Sequence, residues 1–250
     1  MERHTFISFD GQSLSYLEAG DSAAPPVLLI HGFISNAEIN WVKGGSVDRL
    51  AADGWRVIAP DLRAHGGSAR PHEDDAYPDD VLALDQHALL QRLDIEAYHL
   101  VGYSLGAITA ARMIAREETP QSVLLAGMGH GLTIPSGRGN AFVDALTGVT
   151  PTSDPFAAMV VGYVKRTKGD PVALAQVMRG RKSVSETALS GWDIPCLILN
   201  GVDDTDNGSG DALAAMIPGA VSQTIPGNHM DAIFKPDFAA AISEWLRKQR

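Results

Sequence analysis

The sequence predicts a doubly wound α/β domain built on a mostly parallel, eight-stranded sheet. Short apolar runs without a polar face recur along the chain, as is typical of strands covered on both sides of a sheet. These runs are Val27–Ile30, Arg56–Ala59, His99–Val101, Ser122–Ala126, Cys196–Leu199 and, more weakly, Val221–Ile225. Segments with the helical period lie between them, at Ser46–Asp53, Asp79–Leu93, Ser104–Glu118, Gly208–Met216 and Pro236–Lys248. Buried strands that alternate with amphipathic helices imply parallel strands with helices on both faces.

Two further runs near the start of the chain alternate between apolar and polar residues. His4–Phe9 and Ser13–Glu18 are separated by Asp10-Gly11, which predicts a two-residue hairpin turn between two antiparallel strands. These two strands bring the expected total to eight.

Length and charge limit the classes of function. The chain has 250 residues with 20 Lys and Arg against 30 Asp and Glu, for a net charge of −10. The length suits one large domain. The acidic excess disfavours nucleic acid or an anionic membrane surface as the main partner, so a small molecule is the expected ligand. The oligomeric state stays open.

Cysteine usage and hydropathy indicate the compartment. Cys196 is the single cysteine, which excludes an internal disulfide and disfavours a structural zinc site. The opening residues have no signal-peptide pattern, and no apolar run has the length of a membrane-spanning helix. We therefore expect a soluble, cytoplasmic protein.

One long segment interrupts the alternation of strands and helices. Residues 127–191 contain no convincing buried strand, and their seven Lys and Arg exceed their four Asp and Glu. We predict that they form a helical cap after the sixth strand, over a core made of residues 1–126 and 192–250. The alternative is an ordinary helical excursion with no role in binding.

The pattern Gly102-Tyr103-Ser104-Leu105-Gly106 lies between a predicted buried strand and a predicted helix. A serine on such a sharp turn stands out at the carboxyl end of the sheet, beside the free N–H groups of the new helix. Small flanking residues are needed because the backbone there is strained. Ser104 is thus a candidate nucleophile, and the alternative is a serine that only caps the helix.

A serine nucleophile needs a base, and the base needs a carboxylate. His229 lies in a turn after the last predicted strand, at the same edge of the sheet as Ser104. Asp203, Asp204 and Asp206 follow the preceding strand, and position alone does not choose between them. The chain order serine, aspartate, histidine is the order expected when successive strand ends supply a triad.

Four motifs in order give the chain a resemblance to the α/β-hydrolase fold superfamily, in particular to its serine-nucleophile, esterase-like members. Besides the serine turn, they are Leu29–Phe33 with its His-Gly pair, Asp61–Ser68, in which Ala64 stands where the family pattern has glycine, and the pair Gly201-x-x-Asp204 and Gly227-x-His229. The resemblance favours Asp204 as the acid. It also implies an oxyanion hole formed by the backbone N–H groups of Phe33 and Leu105.

The activity implied by this resemblance is hydrolysis of small, largely apolar carboxylic esters through an acyl-enzyme, with no metal and no cofactor. Other activities of such a triad stay open: thioesterase, lactonase, carbon–carbon bond hydrolase and perhydrolase, as does a small-ligand receptor that retains the triad. Ser104 argues against epoxide hydrolase and haloalkane dehalogenase chemistry, since those relatives carry aspartate at this turn. His31 and His65 are expected to be structural. The expected pocket residues, which could equally form a core within the cap, are Phe33, Tyr103, Met128, Phe142, Phe156, Met159 and Tyr163.

Overall fold

The computed structural model describes residues 1–134 and 137–250 and has a single eight-stranded sheet at its centre. Pro135 and Ser136, which belong to the predicted cap, lie outside the described residues. The strands are β1 (Glu2–Ile7), β2 (Ser13–Ala19), β3 (Pro26–Ile30), β4 (Arg56–Pro60), β5 (His99–Tyr103), β6 (Ser122–Ala126), β7 (Cys196–Gly201) and β8 (Val221–Ile225). Their order is β1-β2-β4-β3-β5-β6-β7-β8, with β1 and β2 antiparallel and the pairs from β4 to β8 parallel.

Helices cover both faces of the sheet, and four of the helices below, α4 to α7, lie in the segment between β6 and β7. They are α1 (Ser46–Ala52), α2 (Val81–Arg92), α3 (Leu105–Ala115), α4 (Gly137–Thr147), α5 (Pro155–Arg166), α6 (Pro171–Arg179), α7 (Glu186–Ser190), α8 (Gly210–Ala214) and α9 (Pro236–Arg247). Successive side chains of a strand point to opposite faces, so β3 feeds two separate apolar cores. Leu28 and Ile30 join the core under α2 and α3, and Val27 and Leu29 join the core under α1 and α9. The predicted fold class is confirmed.

The segment between β6 and β7 is helical, as its sequence predicts. Helix α4 packs against both α5 and α6. Aspartate followed by proline starts two of these helices: the side chain of Asp154 accepts a hydrogen bond from the backbone N–H of Ala157, and that of Asp170 accepts from Val172. Such caps satisfy N–H groups that have no partner within the helix.

Two local predictions are wrong. The β1–β2 connection is longer than a two-residue turn: the strands end at Ile7 and Ser13, and the Ser8 N–H donates to the carbonyl of Gln12. Helix α2 begins at Val81 rather than Asp79, because Asp80 has a left-handed backbone with φ of 62° and its side chain binds Arg112 on α3. Within the described ranges, no helix has both the length and the apolarity needed to cross a membrane.

Candidate active site

Ser104 occupies a strained turn between β5 and α3. Its backbone angles are φ 54° and ψ −111°, a conformation that few non-glycine residues adopt. The neighbouring chains approach so closely that a side chain at either flanking glycine would collide: a Cβ at Gly106 would lie 1.9 Å from the carbonyl oxygen of Ile30, and one at Gly102 would lie 2.3 Å from that of Gly106. The sequence pattern therefore has a steric reason, and the turn holds the hydroxyl at the carboxyl end of the sheet.

Ser104, His229 and Asp204 form a continuous hydrogen-bonded chain. The Ser104 Oγ lies 3.1 Å from His229 Nε2, and His229 Nδ1 lies 2.9 Å from Asp204 Oδ2. The Asp204 side chain is only 3% exposed and that of His229 is 15% exposed. With a proton on Nδ1 facing the carboxylate, Nε2 is free to accept the serine proton.

The structure distinguishes the three candidate carboxylates. Asp204 Oδ2 lies 2.9 Å from the imidazole Nδ1, and the other Asp204 oxygen accepts the backbone N–H of Asp206 at 3.1 Å. Asp206 is close as well, since its carboxylate, that of Asp204 and the His229 ring have atoms within 4.8 Å of one another. Asp203 is exposed, and its backbone N–H donates to the carbonyl of Gly227. That last bond joins the loop after β7 to the loop that carries His229.

Hydrogen bonds fix the backbone on both sides of Phe33. The Gly32 N–H donates to Asn40 Oδ1 at 2.7 Å, and the Ile34 N–H donates to His65 Nε2 at 3.2 Å. Leu105 is the first residue of α3, so its N–H has no acceptor within the helix. The predicted oxyanion hole stays a prediction, with these two backbone segments as its walls. Asn40, which is buried in the short helical segment Glu38–Val42, is not among the site residues predicted from the sequence.

Two buried histidines connect the loops after β3 and β4. His31 Nδ1 lies 2.7 Å from the carbonyl of Gly32, and its Nε2 accepts the N–H of Leu62. His65 repeats the arrangement in the opposite direction, with Nδ1 near the carbonyl of Arg63 and Nε2 accepting from Ile34. Each ring must be neutral to accept a backbone N–H. Burial lowers both pKa values, that of His65 to about 3, where the neighbouring His31 adds to the effect.

The loop Asp61–Ser68 is held by its first residue. The buried carboxylate of Asp61 accepts hydrogen bonds from the backbone N–H groups of Ala37 and Gly67 and from the Ser15 hydroxyl. Ala64, which stands where the family pattern has glycine, is buried with φ of 70°. The loop thus keeps a conformation suited to glycine, at a cost in backbone strain.

A cavity of about 120 Å³ opens beside Ser104. Five of the predicted pocket residues line it: Phe33, Tyr103, Phe142, Met159 and Tyr163. The structure does not bring Met128 or Phe156 to the wall. Met128 is 2% exposed, and the Asn200 side-chain amide bonds both its N–H and its carbonyl, which directs this residue into the core. Phe156 packs behind Phe142, with ring centroids 5.0 Å apart. Met178 and Arg181 also line the cavity, and neither is among the predicted pocket residues.

Comparisons with known proteins agree with this architecture. Residues 25–126, which include β3 to β6 and the Ser104 turn, match a family model described as the alpha/beta hydrolase fold. A solved hydrolase from Pseudomonas aeruginosa superposes with a TM-score of 0.82 at 21% identity and covers 98% of each chain. A solved esterase from Rhodococcus sp. superposes with a TM-score of 0.74 at 26% identity over 100% of both chains. The chain therefore has the fold of the α/β-hydrolase superfamily.

Within this superfamily, one sequence relative is Epoxide hydrolase A of Mycobacterium tuberculosis, which is 36% identical over 102 residues. That match includes 41% of this chain and only 31% of the relative's own length. The common part therefore concerns the fold rather than a whole protein. In this α/β hydrolase-fold chain, a hydroxyl, an imidazole and a carboxylate meet beside a cavity, which is the arrangement needed to activate a serine.

Proposed function

We propose that this chain is a serine hydrolase that cleaves carboxylic esters through an acyl-enzyme intermediate. The observation that carries the proposal is the hydrogen-bonded chain from Ser104 Oγ to His229 Nε2, and from His229 Nδ1 to Asp204, beside an accessible cavity. The apolar and aromatic side chains around this cavity favour small, largely apolar esters.

The mechanism follows from the positions of these atoms. His229 takes the proton of Ser104 as the hydroxyl attacks the ester carbonyl, and Asp204 stabilises the imidazolium that forms. The N–H groups of Phe33 and Leu105 hold the oxyanion. His229 then protonates the leaving alcohol and activates a water molecule, which releases the acid from Ser104.

The identity of the residue at the strained turn supports ester chemistry over epoxide opening. The relative from Mycobacterium is named an epoxide hydrolase. The family resemblance implies that enzymes of that class carry aspartate at this turn, whereas this chain carries Ser104. A serine forms an acyl ester that water cleaves at the carbonyl carbon. We infer that Ser104 commits the site to acyl transfer.

In this proposal, helices α4 to α7 form a cap over the cavity. Phe142 on α4 and Met159 and Tyr163 on α5 line the cavity together with residues of the sheet's loops. The Phe142 ring meets that of Phe33 edge to face at 5.1 Å between centroids, so the cap contacts the proposed oxyanion residue directly. The cap would then select the substrate, and the core would supply the chemistry.

The test is turnover of p-nitrophenyl esters of short acids by the wild-type chain and by Ser104→Ala. We expect multiple turnovers, covalent labelling by a fluorophosphonate, and loss of both in S104A with an unchanged unfolding transition. Ser190→Ala removes an exposed hydroxyl on α7 and serves as the control that keeps both.

Two results would contradict the proposal. Turnover that survives in S104A would mean that another group performs the reaction. Labelling of Ser104 without turnover, together with tight binding of a small ligand, would instead indicate a receptor that retains the triad. Measured turnover of thioesters and lactones, and measured formation of peracid, distinguish thioesterase, lactonase and perhydrolase activity from ester hydrolysis.

A further inference from the structure

A second, smaller recess of about 30 Å³ adjoins the cavity beside Ser104. The two share three wall residues, Leu105, Ile108 and Arg181. Leu105 and Ile108 are one turn apart on α3, so the recess lies along the helix that begins at the proposed oxyanion hole. The recess and the catalytic cavity are therefore neighbours that share part of their walls.

The charged side chains of this otherwise mostly apolar recess are mainly cationic. Among the described residues, Arg112, Arg181 and Lys182 line it, and Asp80 is the one carboxylate. Two hydrogen bonds from Arg112, at 2.7 and 2.6 Å, hold Asp80 in place. Lys182 pairs at 3.0 Å with Asp79, whose side chain is 75% exposed. The described lining therefore has three cations against one carboxylate, in a partly buried place where charge acts more strongly than in water.

Arg181 is the cation that reaches both spaces. It is half-buried, and a Cβ at Gly139 on α4 would lie 3.9 Å from its Nε. Phe142 follows Gly139 by one turn of α4 and contacts Phe33. The absence of a side chain at Gly139 thus leaves room beside the guanidinium, one helical turn from the ring that touches the proposed oxyanion residue.

A guanidinium has five N–H donors, so Arg181 can bind an anion in addition to contacts it makes within the protein. Its planar fork matches a carboxylate, which it binds with two parallel hydrogen bonds. His229 and Met230 line the catalytic cavity but are not among the described residues that line the recess. Since the leaving alcohol must face His229, the recess lies on the side available to the acyl part of the substrate.

We propose that Arg181 binds a carboxylate at the far end of the acyl group, so that the preferred substrates are half-esters of dicarboxylic acids. This proposal rests on the proposed ester hydrolase function. The proposed reaction stays the same: the oxygen of water bonds to the acyl carbon as the ester C–O bond breaks, and the alcohol leaves with one proton. The new carboxylic acid releases the other proton and the product is the dicarboxylate. Arg181 is a specificity-determining residue here and takes no part in the bond changes.

The test compares three p-nitrophenyl esters with acyl groups of equal length: the half-ester of adipic acid, the ester of adipamic acid and the ester of hexanoic acid. We expect the wild-type kcat/KM to be highest for the adipate half-ester. Arg181→Met should reduce that value about tenfold to hundredfold, mainly through KM, while the hexanoate value changes less than about threefold. Added salt should reduce the preference.

Arg179→Met is the matched control. Arg179 is two residues before Arg181 in the chain, is exposed and lines neither the cavity nor the recess, so its substitution removes the same charge away from both spaces. It should keep the wild-type ratio of adipate to hexanoate activity. An equal loss of activity on all three esters in R181M would overturn the proposal, since that result indicates a structural role. An unchanged ratio in R181M would overturn it as well.

A binding experiment separates this inference from the proposed function. Calorimetric titration of Ser104→Ala with monomethyl adipate and with methyl hexanoate needs no turnover. Preferential binding of monomethyl adipate that is lost in the S104A/R181M double variant supports the anion subsite even if no ester is hydrolysed. Equal or absent binding of the two esters would overturn the subsite, whatever the activity of the wild-type chain.

Discussion

The hydroxyl of Tyr103 donates a hydrogen bond of 2.5 Å to the backbone carbonyl of His229, a residue 126 positions further along the chain. Their rings lie 5.5 Å apart between centroids. The residue directly before the proposed nucleophile thus holds the loop that carries the proposed base. The distance between Ser104 Oγ and His229 Nε2 is set partly by this contact between the strand and the last loop.

Tyr103→Phe tests whether this bond positions the imidazole. The change removes one hydrogen bond and leaves a carbonyl without its partner while keeping the ring that packs beside His229. We expect kcat for a short p-nitrophenyl ester to fall about threefold to tenfold, with KM nearly unchanged. A change confined to KM would contradict a positioning role and indicate that the hydroxyl contacts substrate.

Asp204→Asn tests the choice among the three carboxylates. An amide in place of the carboxylate holds the imidazole in the wrong tautomer and does not stabilise the imidazolium, so kcat should fall by about 10³- to 10⁴-fold. Asp203→Asn is the matched control, since it removes the same charge from an exposed side chain on the same loop. Comparable losses in both variants would argue against Asp204 as the acid of the triad.

The buried histidines predict a loss of stability in mild acid. Burial holds the pKa of His65 at about 3 and also lowers that of His31, whereas an unfolded histidine titrates near 6.5. Between these values the unfolded chain binds protons that the folded chain does not, so falling pH favours unfolding. His65 then contributes a slope approaching about 1.4 kcal/mol per pH unit, and His31 contributes in the same direction.

Urea unfolding measured from pH 6.5 to 4.5 checks this slope, since most aspartates titrate below that range. His65→Gln keeps an acceptor for the Ile34 N–H and removes the titrating group. The free energy of unfolding of this variant should depend less steeply on pH than that of the wild-type chain. The difference in slope should be up to about 1.4 kcal/mol per pH unit, which corresponds to one proton. The same slope in both would mean that His65 is protonated in the folded state.

The sequence indicates the positions of the proposed triad better than those of the residues that line the cavity. Ser104, Asp204 and His229 stand at strand ends, where local glycines and chain order indicate their position. Wall residues depend on tertiary contacts without a local signature: the Asn200 amide directs Met128 into the core, and the packing of α4 and α6 brings Arg181 to the cavity. A basic residue in a charged segment has the same pattern whether it faces solvent or substrate.

Ala64→Gly tests whether the departure from the family pattern costs stability. Ala64 has φ of 70°, a left-handed conformation that costs a non-glycine residue about 1–2 kcal/mol. Glycine removes that strain but makes the unfolded chain more flexible, which offsets about 0.4–1 kcal/mol. The free energy of unfolding should therefore rise by about 0.5–1 kcal/mol, as measured by urea denaturation. Ala59→Gly in the buried strand β4 should lower it, and a destabilised A64G would mean that the buried Cβ of Ala64 contributes more through packing than its backbone costs in strain.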